Sequence, residues 1–260
     1  MFNDQVGTGC AQPAMQALVC LQALQGGARA GRGASPFLGL AEEGPSGLKI
    51  QAAGDLRQRR MAQALVGQRY AQRGYLRSET AVEAEPQHLL TLRAVAEQRM
   101  LGTLGIRFDS ELGLNADLVF GAEMAALRAS GQSLCEFTQL ALDVDVPSKQ
   151  VLAALFHTAY IHAHRVHGAQ QLVIEVNPRH VAYYRRMLGF QVGSESRLNP
   201  RVQAPAVLMS LDFAHVETQV ERYGGKPAMG AVARTLYPFF FSPAEEAAIV
   251  AELLPVAGQA

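Results

Sequence analysis

The stretch from Ser133 to Phe190 constrains the fold most. Ser133–Asp143 alternates and then turns apolar, the pattern of a strand at the centre of a sheet. Pro147-Ser148 opens a helix to about His167, with Ser148 as N-cap and Gly168 as terminator. Val151, Leu152, Leu155, Phe156 and Ala159 give that helix a buried face. Gln171–Val176 is a short aliphatic strand, and Pro178 starts a further helix through Met187. Strands alternating with helices in this way need an apolar sheet covered by helical layers.

The flanking segments extend the pattern. Gly54–Arg73 reads as a helix with Leu56, Met61, Ala64, Leu65 and Val66 on its apolar side and arginines opposite. His88–Ala96 and Arg99–Phe108 read as strands joined tightly through Glu97-Gln98. Asn115–Ala129 is a helix, Phe190–Gly193 and Ala206–Phe213 are strands, and helices follow near His215–Tyr223 and after Ser242-Pro243. This order predicts an α/β chain of the α+β type, with a mixed, largely antiparallel sheet and helices on both faces. Residues 1–47 read as a poorly ordered leader and linker, 48–213 as the domain, and 214–260 as a helical extension packed on it.

Charge and cysteine usage exclude several functions. Lys plus Arg and Asp plus Glu both number 23, so no global field draws in nucleic acid or anionic membrane. No apolar run is long enough for a membrane span, so the chain does not read as an integral membrane protein. The apolar run at 13–25 precedes the first basic residue, Arg29, which is the wrong order for a signal peptide. The expected location is cytoplasmic. Cys10, Cys20 and Cys135 form no metal-ligand spacing. Of His157, His162, His164 and His167, only the last two share helical i, i+3 spacing; a solvated helix face is expected, and no metal site.

Two motifs carry a family resemblance. LVIEVNPRHVAYYRRMLGF (Leu172–Phe190) resembles the late strand–helix–Gly-Phe motif of the GNAT acyltransferase superfamily. LCEFTQLALD (Leu134–Asp143), with the helix after it, is similar to that superfamily's central strand and donor-binding helix. Members using acyl-CoA carry a glycine-rich loop where PSKQVLAAL stands, so that backbone N–H groups approach the pyrophosphate. This chain has no glycine between Leu142 and Tyr160. A carrier-protein thioester would not need that cradle. The trait is shared by acyl-homoserine lactone synthases and long-chain N-acyl amino acid synthases. Gln139 replaces an arginine of the lactone synthases, and Glu83 and Glu85 only loosely match their acidic pair. RYAQRGY (Arg69–Tyr75), GTLGIRFD (Gly102–Asp109) and NPRVQAPAVLM (Asn199–Met209) are closer to the N-acyl amino acid synthases, the resemblance covering about residues 55–213.

The resemblance implies transfer of a medium- or long-chain acyl group from acyl carrier protein to an amino acid's α-amine. The phosphopantetheine thioester of acyl carrier protein would be the co-substrate, with no permanently bound cofactor. A lactone-type signal synthase, an acetyl-CoA-dependent acetyltransferase and a non-catalytic lipid- or carrier-binding protein are the alternatives. Glu136 is the expected base, or a structural carboxylate paired with Arg107. Strand alternation puts Thr138 beside Glu136, and Cys135 and Phe137 opposite; Cys135 is expected to be a buried structural thiol. Arg107 would otherwise bind the acceptor's carboxylate, and Thr138 either contacts the acceptor or is simply a good strand residue. Tyr184 matches the position from which the superfamily protonates the departing thiolate, or is a core aromatic. Asn177 contacts the pantetheine arm or caps the helix begun by Pro178.

Leu140, Ala141, Leu142, Ser148 and Lys149 fall on the implied donor side. Arg69, Tyr70 and Tyr75 fall where related synthases close over the acyl group. Six arginines between Arg57 and Arg77, extended by Lys149, Arg165, Arg179, Arg185 and Arg186, would suit an acidic carrier protein. Tyr237, Phe239, Phe240 and Phe241 are expected to dock the tail on the core.

Overall fold

The computed structural model describes residues 45–72, 88–143 and 148–254. Eight strands form its sheet: β1 (Lys49–Ala52), β2 (Leu89–Ala96), β3 (Arg99–Phe108), β4 (Leu134–Leu142), β5 (Gln171–Val176), β6 (Gln191–Val192), β7 (Arg197–Asn199) and β8 (Ala204–Asp212). The order is β1-β2-β3-β4-β5-β8-β6, with β7 also on β8. Every pairing is antiparallel except β4 with β5. This is the mixed, mainly antiparallel GNAT-like sheet expected. The edge strands β1 and β7 escape sequence reading because they are short and mostly exposed.

Helices cover both faces. On one lie α1 (Leu56–Ala71) and α2 (Asp117–Ala129), which share a core with Leu134, Ala141, Val173, Ala206 and Leu208. On the other lie α3 (Lys149–Tyr160), its π-helical continuation Ile161–Val166, α4 (Val181–Leu188) and α5 (Phe213–Tyr223). The tail continues through the single-turn α6 (Gly230–Ala233) into α7 (Pro243–Leu253), which opens with a Ser242–Glu245 capping box. Glu97 and Gln98 both take positive φ, 49° and 64°, turning the β2–β3 hairpin as a primed turn does.

Two expectations need correction. The buried stripe of α1 is Ala62, Leu65, Val66, Arg69 and Tyr70, whereas Leu56 and Met61 are exposed. An arginine within the stripe hides the amphipathic pattern, because its charge is neutralised by a partner elsewhere in the fold. His157 is fully buried rather than solvated. It stacks on Phe240 and Phe241, accepts the Phe241 amide at Nδ1 (2.9 Å), and meets Glu246 at Nε2 (3.1 Å). That contact docks the tail, together with the Tyr237 hydroxyl donating to the Leu188 carbonyl at 2.6 Å. β4 keeps the expected alternation through Thr138 and breaks it at Gln139, which takes φ +53° at a bulge, so Phe137 and Leu140 face one core and Ala141 the other.

Candidate active site

Glu136 sits on β4 with its side chain on the α1/α2 side and is fully buried. One carboxylate oxygen, Oε2, accepts the Asn115 amide at 2.7 Å and the Asn115 side-chain Nδ2 at 2.9 Å. The other, Oε1, ends with no hydrogen-bond partner, and so do the buried Thr138 hydroxyl and the Arg107 Nε. Two opposing effects set the acidity of Glu136. Burial pushes its pKa up to about 7, against the Asn115 hydrogen bonds and the charges of Arg201 and Arg107, which pull it down. A carboxyl group titrating there can accept a proton at neutral pH.

Register explains the grouping. Arg107 pairs with Glu136 and Gly105 with Thr138 across β3 and β4, so all lie along one face. A side chain at Gly105 would put its Cβ 3.1 Å from Thr138 Cγ2, so the glycine leaves room for the threonine. β4 pairs with β5 only over Leu134–Glu136 with Gln171–Val173, after which the two strands part. Leu140, Ala141 and Leu142 lie beyond that point, on a stretch of β4 that no longer bonds to β5. The bulge at Gln139 bends β4 just past the parting.

Two further residues escaped the sequence reading. Arg201, in the β7–β8 turn, has a buried side chain that donates Nη1 to the Asn115 carbonyl at 2.9 Å and Nη2 to Glu175. Glu175, fully buried on β5, also accepts Asn199 Nδ2 at 3.0 Å. The Asn199 side chain in turn accepts the Arg201 amide at 2.9 Å. A buried charge signals itself in sequence only when its partner is known, and these partners lie on three separate elements.

The remaining candidates fall elsewhere. Arg69 donates Nε to the Leu142 carbonyl (3.0 Å) and Nη2 to Asp143 (3.1 Å), which Arg99 also grips, so it clamps α1 to the end of β4. Tyr70 is buried in the α1/α2 core. Tyr75, Glu83 and Glu85 lie outside the described residues. Tyr184 is fully buried on the opposite face, its ring held by Phe156, Tyr183 and Phe190.

Ser148 Oγ caps α3 by accepting from the amides of Gln150 (3.2 Å) and Val151 (3.4 Å). Lys149 lies over the Phe239 ring. Asn177 caps the 3-10 turn at Pro178 by accepting the Arg179 amide at 3.2 Å. Cys135 is buried on the α3 side, where burial pushes its thiol pKa well up. That suits a structural role. A cavity of about 400 Å³ lies between the π-helical segment, α5 and α7, lined in part by Arg165, Glu217, Val220 and Val250, on the α3 side of the sheet. Among the described residues, no three His, Cys, Asp or Glu side chains gather as a metal site, and no helix is long and apolar enough to cross a membrane.

No curated protein sequence matches the chain. The structure of FeeM, an N-acyl amino acid synthase from uncultured soil microbes, matches with a TM-score of 0.59 at 28% identity, over 64% of this chain and 92% of that one. BjaI, described as a CoA-dependent acyl-homoserine lactone synthase, matches at 12% identity and a TM-score of 0.46, over 67% of this chain and 88% of that one. An acyl-CoA N-acyltransferase from Pseudomonas aeruginosa gives 15% and 0.44, over 63% and 97%. The family model for the N-acyl amino acid synthase FeeM matches residues 61–212. With more than half of its length matched, the chain belongs to the FeeM family of N-acyl amino acid synthases and is an N-acyltransferase.

Proposed function

We propose that this enzyme transfers a medium- or long-chain acyl group from the phosphopantetheine thioester of acyl carrier protein to the α-amine of an amino acid. The observation that carries the reading is the buried Glu136 with one carboxylate oxygen unpaired, beside the unpaired Thr138 hydroxyl and Arg107 Nε. Buried polar groups left open on one face are groups awaiting a polar ligand. Arg107 would take the acceptor's carboxylate, Thr138 would contact the acceptor, and Glu136 Oε1 would receive a proton from its ammonium, directly or through water.

The neutral amine then attacks the thioester carbon, the tetrahedral intermediate gives up the second amine proton to solvent, its oxyanion collapses, and the carbon–sulfur bond breaks. Tyr184, on the donor side of the parted strands, would return a proton to the sulfur. Base and acid on opposite faces suit a reaction in the gap between β4 and β5. The pantetheine arm would lie along the unpaired edge of β4 at Leu140–Leu142, as an added strand does. Two amides at the start of α3 are already taken by Ser148, which leaves fewer donors for a CoA pyrophosphate and favours a carrier-bound thioester.

The test is mass spectrometry of lipid extracts from cells expressing wild type or Glu136→Gln. New N-acyl amino acids with wild type only are expected, and they identify chain length and acceptor. Soluble wild-type protein that makes none in the presence of acylated carrier protein overturns the reading. Purified enzyme assayed with acyl carrier protein and with acyl-CoA then decides the donor.

A further inference from the structure

The Glu136 carboxylate is held by a chain of buried contacts reaching two further strands. Asn115 grips Oε2 through both its backbone amide and its side chain. Its carbonyl is gripped in turn by Arg201 Nη1, so the peptide groups on either side of Asn115 are both tied down. Arg201 is itself fixed from two directions: its other terminal nitrogen lies on Glu175, and its backbone amide on Asn199 Oδ1. Asn199 also bonds Glu175, closing the ring. These residues come from the β7–β8 hairpin and β5, and none lies in the strand that carries Glu136.

We infer that Arg201 is a positioning residue for acyl transfer, holding Asn115 so that Glu136 Oε2 is bound and Oε1 is left for the acceptor amine, with Glu175 fixing Arg201. This deepens the proposed reaction and rests on Glu136 being its base. The arrangement divides the carboxylate between two tasks, since an oxygen already occupied by two donors is a poor proton acceptor. It also balances charge: two buried carboxylates, Glu136 and Glu175, are matched by two guanidinium groups, Arg107 and Arg201. The other titratable groups nearby are Tyr70, from α1, and Cys135, a buried thiol on the opposite face whose pKa burial and the neighbouring Glu136 charge both push up, so that it stays neutral.

Arg201 therefore has a second effect, because its positive charge favours ionised Glu136. Glu175 competes for that charge. Removing Arg201 and removing Glu175 should thus move the base in opposite directions, which a merely structural role would not do.

The experiment is the pH profile of kcat/KM for purified enzyme with acylated carrier protein and the acceptor amino acid. Wild type, Glu136→Gln, Arg201→Gln, Arg201→Lys and Glu175→Gln are compared, with thermal melts for each. Arg201→Gln should move the acid limb up by about one unit and Glu175→Gln should move it down, loss of one close charge being worth about that much. Arg201→Lys should restore the limb but not kcat, since a lysine keeps the charge without the two-way grip. If Arg201→Gln does not fold, the Glu175→Gln and Arg201→Lys profiles decide.

An acid limb that stays fixed in the Arg201 and Glu175 variants, while Glu136→Gln abolishes it, overturns the positioning role and leaves the base standing. A Glu136→Gln profile like wild type instead overturns the base itself.

Discussion

Glu136 and Arg107 are register partners on neighbouring strands, yet Glu136 Oε1 and Arg107 Nε each end without a hydrogen bond. Sequence alone allowed the pair to be a closed structural ion pair. The carboxylate is instead held through Oε2 by Asn115, and the Arg107 Nε is buried without a partner. Leaving charged groups partly unsatisfied in a buried site is costly for the fold, and such sites are where ligands recover the cost.

Glu136→Gln should lower kcat/KM by about 10²- to 10⁴-fold, the range for losing a general base. Steady-state kinetics on protein whose melting curve matches wild type checks this. Near-normal activity would remove Glu136 from the mechanism.

The wild-type acid limb of kcat/KM should lie near pH 7, because the base works ionised and its pKa is raised to about 7 by burial. The same shift acts on stability. With the folded pKa above the ordinary 4.5, the fold is favoured below pH 4.5 and loses about 3 kcal/mol as pH rises through 7. Glu136→Gln has nothing to ionise, so denaturant titrations should show a flatter pH dependence over that window.

Tyr184→Phe should reduce kcat by roughly 10²-fold with little change in KM, if its phenol protonates the sulfur. The ring's packing against Phe156, Tyr183 and Phe190 survives the change. An unaltered kcat would return Tyr184 to the core.

The tail should loosen in acid. Burial holds His157 below its ordinary 6.5, while its hydrogen bond to Glu246 only partly opposes this. Its Nδ1 accepts the Phe241 amide, so a proton there breaks the contact. Because the folded pKa is the lower one, this stability is present above pH 6.5 and is lost as pH falls below it. Glu246 works in the same sense: desolvation raises its pKa, but hydrogen bonds from His157 and Arg165 hold it lower overall. Protection of the Phe241 amide from hydrogen exchange, measured against its intrinsic rate at each pH, should fall as wild type is acidified below pH 6.5.

Gln139→Gly should stabilise the protein by up to about 1 kcal/mol, and Gln139→Ile should destabilise it, because the bulge demands a left-handed backbone. Gly102→Ala should cost about 1–3 kcal/mol, since its Cβ would fall 2.8 Å from Leu142 Cδ2 and 3.0 Å from the Ala141 carbonyl. Chemical denaturation measures both.

Most elements were legible in the sequence because their signals are local. The Glu97-Gln98 turn, the Ser148 cap, Pro178 at a helix start and Gly189 at a helix end, with φ +83°, each act within a few residues. Glu136 was legible as a carboxylate in a strand otherwise built for burial. Its partnership with Asn115, and the chain from there through Arg201 to Glu175 and Asn199, were not.

Those contacts span 21 to 86 residues, and nothing in local periodicity encodes which distant donor neutralises a buried charge. The same reason hid the buried face of α1, where Arg69 meets Asp143, and the burial of His157 under a tail that arrives 84 residues later. Local propensity and hydrophobic period determined the strands, the helices and their order. Strand register, the parting of β4 from β5 and long-range pairing decided which polar groups are satisfied and which are left open for chemistry.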